Sequence, residues 1–481
     1  MSYTRTRPAP QGIREHDARR FSESASVVEG ASVTLEWFHQ WFAEVGRRDR
    51  HSVKRAPLDG LAGWTTDPET GDLKHTSGRF YTVEGLEVST RHRSVPLWRQ
   101  PIIVQPEIGV LGLLVKEFDG VLHCLVQTKM EPGNINGVQL SPTVQATRSN
   151  YTRAHRGAAT AYLEYFVGDE RGRVLLDSLQ SEQGSWFLHK RNRNMVVETR
   201  EDVPLREGFC WLTLGQLHEL LPLRNMLNMD IRSVLSTIPF RAPTDRPSLL
   251  NEDTYRGALL RSMLPGLPVS SADGPTLTTW FFDEKSSRTL SRTLTPLNRV
   301  DHWVRTPERI SHVEERYFSV IGVDVEAEGR EVRSWSQPLL APVNRGLLAL
   351  LTKRVDGVLH VLVQARSGAG SMDVVELAPS LQCTPANYAD GASPDRPPFL
   401  DYVLGAPPER IRFDAVHSEE GGRFYHAENN YMVVDTGDDI PSHLPEGYTW
   451  TTVRQLADLV QHENYLNVEM RCLLACLHSL L

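Results

Sequence analysis

The feature that most constrains this chain is that it repeats itself. Gln127, Pro142, Gln145, Thr147, Asn150 and Tyr151 recur as Gln364, Pro379, Gln382, Thr384, Asn387 and Tyr388, each pair 237 positions apart. The same offset carries Trp98 and Pro101 onto Trp335 and Pro338, and Asp119-Gly120 onto Asp356-Gly357. It also carries Glu182, His189 and Asn192 onto Glu419, His426 and Asn429. After a two-residue slip, Trp211 and Asn228 meet Trp450 and Asn467. Self-similarity on this scale means two homologous units.

The repeat sets the expected boundaries: an N-terminal arm and helix at 1–50, a first domain at 51–235, a linker at 236–289 and a second domain at 290–481. In the arm, Leu35, Phe38, Trp41 and Phe42 recur at helical spacing, with Ser32 or Thr34 as cap. In the first unit GVLGLLVKEF and GVLHCLVQTKM flank Asp119-Gly120, a tight-turn pair that predicts a hairpin. VLLDSLQ and NMVVE predict two more strands around Gly184, and LTLGQLHELLPL and NMDIRSVLSTI predict helices. The Pro-, Ser- and Thr-rich linker holds one helix-like run, YRGALLRSML. The fold class expected is α/β (α+β).

A formal net charge of −8 gives no reason to expect nucleic-acid binding. The five cysteines form no metal-ligand spacing, and their apolar settings suit reduced thiols in a cytoplasmic protein. No apolar signal-peptide core or membrane-length window is found, so no membrane association is expected.

The strings VQTKMEPGNINGVQLSPTVQATRSNYTRAH and VELAPSLQCTPANY, with the paired endings NMLNMDIRS and NYLNVEMRC, resemble the NDP-hexose 2,3-dehydratases of deoxysugar biosynthesis. The resemblance runs through nearly all of the chain after its first thirty residues. It implies a homodimer whose subunit holds two tandem Nudix-like domains, each with a nucleotide-sugar pocket, only one of them catalytic. Neither half carries the acidic Nudix hydrolase motif, so fold likeness does not bring metal-dependent hydrolysis with it. No metal and no cofactor is expected. The substrate implied is a dTDP-4-keto-6-deoxyhexose, and the labile diketo product implies coupling to an NADPH-dependent 3-ketoreductase.

Such a reaction needs a base near C3, an acid near the C2 oxygen and donors facing the C4 oxygen. The candidates for chemistry are Lys129, Glu131, Tyr151, His155 and His189, with Gln127, Asn134, Gln145, Thr147, Arg148, Asn150, Glu182 and Asn192 as substrate contacts. A second, binding-only pocket would use Gln364, Arg366, Gln382, Thr384, Asn387, Tyr388, Glu419, His426 and Asn429. The first half is favoured because Lys129, Glu131, Arg148 and His155 become Arg366, Gly368, Pro385 and Ala392. Arginine does not titrate near neutrality, and the other three offer no proton-transferring side chain. Plain alternatives stand beside these roles. Gln145, Thr147 and Asn150 could satisfy loop backbone, the tyrosines could be core anchors, and the histidines could partner Asp177 and Asp414. An epimerase or isomerase, or a non-catalytic sugar-nucleotide binder, would carry many of the same residues.

Overall fold

The computed structural model describes residues 15–30, 32–151, 159–168, 171–239, 250–264, 276–328, 332–389, 395–441 and 443–481. Two seven-stranded sheets dominate it. In the first, the order is Arg173–Ser181, Arg191–Glu198, Gly109–Phe118, Val121–Met130 and Phe209–Thr213. Val138–Pro142 pairs with the fourth of these strands and Val144–Ala146 with the third. In the second sheet, Ile411–Ser418, Glu428–Asp435, Gly346–Val355, Val358–Arg366 and Tyr448–Thr452 repeat that order. Each sheet has one parallel pair at its centre, Asn192 opposite Gly109 and Asn429 opposite Gly346. The Asp119-Gly120 hairpin forms as its sequence predicts, with φ of +49° and +81° supplying the left-handed turn that matches strand twist.

The two smaller sheets cross the expected boundaries. The strand His51–Ala56, placed by sequence at the start of the first domain, pairs antiparallel with Phe318–Ala327 of the second half. Reciprocally, Leu290–Thr295 pairs with Thr82–Thr90 of the first half. Each half lends the other a strand, an exchange that hydrophobic patterning cannot specify because the same alternation suits either edge.

Two helices lie between the large sheets. Met229–Thr237 and Val468–His478 are buried along their whole length and pack on each other. Covered on every side, the two helices bury charged side chains as well as apolar ones, Asp230 and Arg232 on the first and Glu469 and Arg471 on the second. Asn228 and Asn467 cap them, accepting the Ile231 and Met470 amides at 3.0 and 2.9 Å. The interval read as a linker also contributes structure. Tyr255–Ser262 and Leu277–Ser287 are helices, and their Ala258, Leu259, Leu277 and Phe281 join the central core. The aromatic helix of the arm spans Leu35–Arg48 with Thr34 as its cap; Phe38 is buried, whereas Trp37 is exposed and stacks on Trp41. Among the described residues no helix is long and apolar enough to cross a membrane.

Candidate active site

A cavity of about 380 Å³ opens at one end of the central strands of the first large sheet. Its floor is built by strand residues that the alternation of a sheet turns to one face: Gly109 and Leu111, Lys129, Gln145 and Asn192. Glu131 and Pro132 enter from the turn that follows the Lys129 strand, and Asp230 from the first turn of the Met229–Thr237 helix. Trp64, His75, Phe80 and Tyr81 of the first half form one wall, and another comes from the other half: Trp335, Ser336 and Gln337 on one strand, and Glu420, Gly422 and Arg423 on one turn. The pocket lies on the first half, where the sequence placed it, and residues of the second half line it too.

Gln145 organises the floor. Its amide donates to Glu131 Oε1 at 2.8 Å, while its carbonyl oxygen accepts from Asn228 Nδ2 at 3.0 Å and Ser141 Oγ at 2.6 Å. Its backbone oxygen accepts from Lys129 Nζ at 2.7 Å. Asn192 is fixed in the same way, accepting from the Gly109 amide at 3.1 Å and donating to Glu182 Oε1 at 2.8 Å. Three carboxyl oxygens at the cavity are left without a partner among the described residues: Glu131 Oε2, Asp230 Oδ1 and Glu420 Oε2. Groups left this way in a protein interior are expensive unless a ligand or water meets them.

The electrostatics follow from crowding acids in a space withdrawn from water. Burial holds the Asp230 carboxyl well above its usual range, with the charges of Glu420, Glu182 and Glu131 adding and Lys129 opposing. Glu420 is raised by burial, which Arg423 opposes and Glu131 reinforces. Behind Asn192, burial and then Glu420 push Glu182 up to about 8, and burial pulls the Lys190 ammonium down. Arg423 is held by Gln105 Oε1 at 3.1 Å and lies 4.2 Å over the Tyr81 ring. Trp64 packs on Tyr81 at 5.0 Å and on His75 at 5.4 Å, and Trp64 Nε1 donates to Ser336 O at 2.8 Å.

Of the residues expected from sequence, Lys129, Glu131, Gln145, Thr147 and Asn192 meet in this cavity. Others lie elsewhere. Gln127 donates to the Pro142 and Thr143 carbonyls, and Asn134 to Gly137 O, so both brace loops. Arg148 is exposed and Glu182 stands behind the lining. His189 sits in a turn with φ +51°, its amide bonded to Gly370 O and its ring 3.4 Å from Arg292; it is not among the lining residues. His155 and the side chains of Asn150 and Tyr151 lie outside the described residues.

The equivalent space in the second half has about 10 Å³ and is lined by Arg366, Gln382, Asn467, Glu376 and Glu469 among others. That is no more than one water requires. Gln364 bonds Pro379 O, and Asn387 and Thr384 form a backbone turn with Tyr388 close behind. Glu419 is fully engaged by Gln183, Asn429 and Tyr431, and His426 is exposed with its amide bonded to Gly133 O.

Sequence reasoning missed Glu420, Arg423 and the aromatic residues, and it gave Asp230 no place in the site. The repeat did carry a signal, since Glu420 aligns with Gln183 and Asp230 with Glu469.

Buried carboxyls crowded beside a lysine suit proton transfer on a polar substrate and the steadying of the oxyanion that results. The family model for NDP-hexose 2,3-dehydratase matches residues 35–238 and 275–477. Three proteins described as dTDP-4-dehydro-6-deoxy-alpha-D-glucopyranose 2,3-dehydratase are similar over their whole length. The one from Saccharopolyspora spinosa is 50% identical across 98% of this chain and 96% of its own. That of Streptomyces violaceoruber is 52% identical across 92% and 97%, and that of Amycolatopsis orientalis 47% across 98% and 97%. The chain belongs to the NDP-hexose 2,3-dehydratase family and is a carbon–oxygen lyase.

Proposed function

We propose that the first-half cavity converts dTDP-4-keto-6-deoxy-D-glucose to dTDP-3,4-diketo-2,6-dideoxy-D-glucose. The C4 carbonyl acidifies the proton on C3; its removal gives an enolate that expels the C2 hydroxyl, and the resulting enol becomes the 3-ketone. Glu131 is the base, because its Oε1 is held by Gln145 while Oε2 is left without a protein partner at the cavity. This oriented, half-engaged carboxylate is the observation that carries the reading. Lys129, on the same wall, supplies positive charge for the C4 oxygen. The half-buried rings of Trp64 and Trp335 in the lining suit a nucleobase, which stacks on such a face.

The shared strand order of the two large sheets supports tandem Nudix-like domains from a duplication. The second, closed space serves at most as a supporting site, since a sugar nucleotide enters it only after its lining side chains move. The subunits pair as a homodimer through surfaces that include the exposed Trp37 face, and a 3-ketoreductase consumes the labile product.

The test is incubation with dTDP-4-keto-6-deoxy-D-glucose, a 3-ketoreductase and NADPH, followed by mass analysis, with sedimentation of the same sample. Loss of one water and a trapped 2,6-dideoxy-4-keto sugar are expected from a sedimenting dimer. Unchanged or merely epimerised sugar overturns the reaction, and a monomer at micromolar concentration overturns the pairing.

A further inference from the structure

Elimination requires a second proton-transfer group, because hydroxide leaves poorly unless it departs as water. We propose that Glu420, delivered into the first-half cavity by the second half, is that catalytic residue and gives its proton to the departing C2 oxygen.

The geometry supports this assignment in three ways. Glu420 lines the cavity, and its Oε2 is shut off from solvent with no partner among the described residues. It also stands near the base, across the backbone of Gly422. A Cβ built on Gly422 would lie 3.3 Å from Glu131 Oε1 and 3.8 Å from Glu420 Oε1, so both carboxyls border the same small volume. Finally, the turn does not need the side chain. The Glu420 backbone oxygen accepts the Arg423 and Phe424 amides at 3.1 and 2.9 Å, which holds the turn by main chain alone. At the corresponding place in the first half, Gln183 spends its amide on Glu419 Oε2 at 2.9 Å, a purely structural use. Burial and the neighbouring Glu131 charge keep Glu420 biased toward its protonated form, as a donor requires.

The proton inventory closes over one turnover. Glu131 takes the C3 proton, the C3–H electrons form the C2=C3 bond, and the C2–O bond breaks as the oxygen receives the Glu420 proton and leaves as water. In the tautomerisation that follows, the Glu131 proton passes to C2 and the C3 hydroxyl proton returns to Glu420. Both carboxyls regain their starting states, and no electrons leave the sugar.

The assignment rests on the dehydratase reading and is tested by Glu420→Gln beside Glu131→Gln. Turnover is measured with the trapping assay, and C3 hydrogen exchange into the unreacted sugar is followed by NMR in D₂O. For Glu420→Gln, thermal unfolding and calorimetric dTDP binding should match wild type, turnover should fall by about 100-fold or more, and C3 exchange should persist. Glu131→Gln should lose exchange and turnover together. The assignment is overturned if Glu420→Gln keeps turnover within about threefold, or if its exchange falls in step with its turnover. Wild-type protein that never releases water from the sugar would instead sink the dehydratase reading, whatever the variants do.

Discussion

At the residue scale, Glu182 and Glu419 show how one repeated position acquires two behaviours. Glu419 accepts from Gln183, Asn429 and the Tyr431 hydroxyl, at 2.9, 2.6 and 2.7 Å. Glu182 keeps only the Asn192 amide, because the residue aligned with Tyr431 is Asn194, and its Oε2 has no protein partner. Burial therefore raises Glu182 to about 8 from an ordinary 4.5. Across that window the folded chain holds a proton the unfolded chain has already released, so the contribution of Glu182 to stability falls as pH rises. Replacing it with glutamine removes the titration but preserves the shape. The melting temperature of Glu182→Gln relative to wild type should climb between about pH 5 and pH 8, as calorimetry at several pH values can read. A difference independent of pH would show that Glu182 does not titrate there.

Among the elements, the decisive ones are two short turns that dock on the opposite half. Gly133 donates its amide to Gly421 O at 2.7 Å and accepts from the His426 amide at 2.8 Å. A Cβ on Gly133 would stand 1.8 Å from Phe424 O, and one on Gly370, in the matching turn, 1.9 Å from Phe187 O. Neither clash is with a side chain that can move aside, so Gly133→Ala and Gly370→Ala should each cost about 1–3 kcal/mol or more, seen as lower denaturation midpoints. Their effects on activity should differ. Gly133 lies between Glu131 and the turn carrying Glu420, so its alanine variant should lose most turnover even where it remains folded. Gly370→Ala, beside the closed space, should retain a much larger share. Equal losses of turnover in folded samples would refute this division. A contact across 288 positions, from Gly133 to Gly421, has no local signature in the sequence.

For the whole molecule, exchanged strands and crossed arginines make the halves one folding unit. His51–Ala56 completes a sheet of the second half and Leu290–Thr295 a sheet of the first. Arg232 donates to Ser418 O at 2.5 Å, and Arg471 to Ser181 O at 2.6 Å, each fully buried and each reaching into the other half. The central core likewise draws on both halves, through Leu111 and Leu113 as well as Leu348 and Leu350. Each half alone would expose this apolar surface and leave a sheet edge unpaired. Expressed separately, residues 1–249 and 250–481 should bind a hydrophobic dye and show no cooperative melt. Mixing them should restore both the melt and the dehydratase activity. A stable, cooperatively melting first half would contradict the exchange.

By itself the sequence determined the repeat, the Asp119-Gly120 hairpin and the two strands beside it, the principal helices, the family, and three of the five residues named on the cavity floor. Those depend on local alternation, turn chemistry and long matched strings, all of which are written along the chain. Lys129, Glu131, Gln145, Thr147 and Asn192 were legible because they sit on the repeated strands or the turn beside them. Tertiary structure alone decided that Glu420, Arg423 and Trp335 face those residues, that His189 does not, and that the second space is closed. The physical reason is the strand exchange and the docking of one half's turn on the other. Burial and hydrogen-bond supply at that junction set which carboxyls are left unpaired, and these are properties of two surfaces in contact.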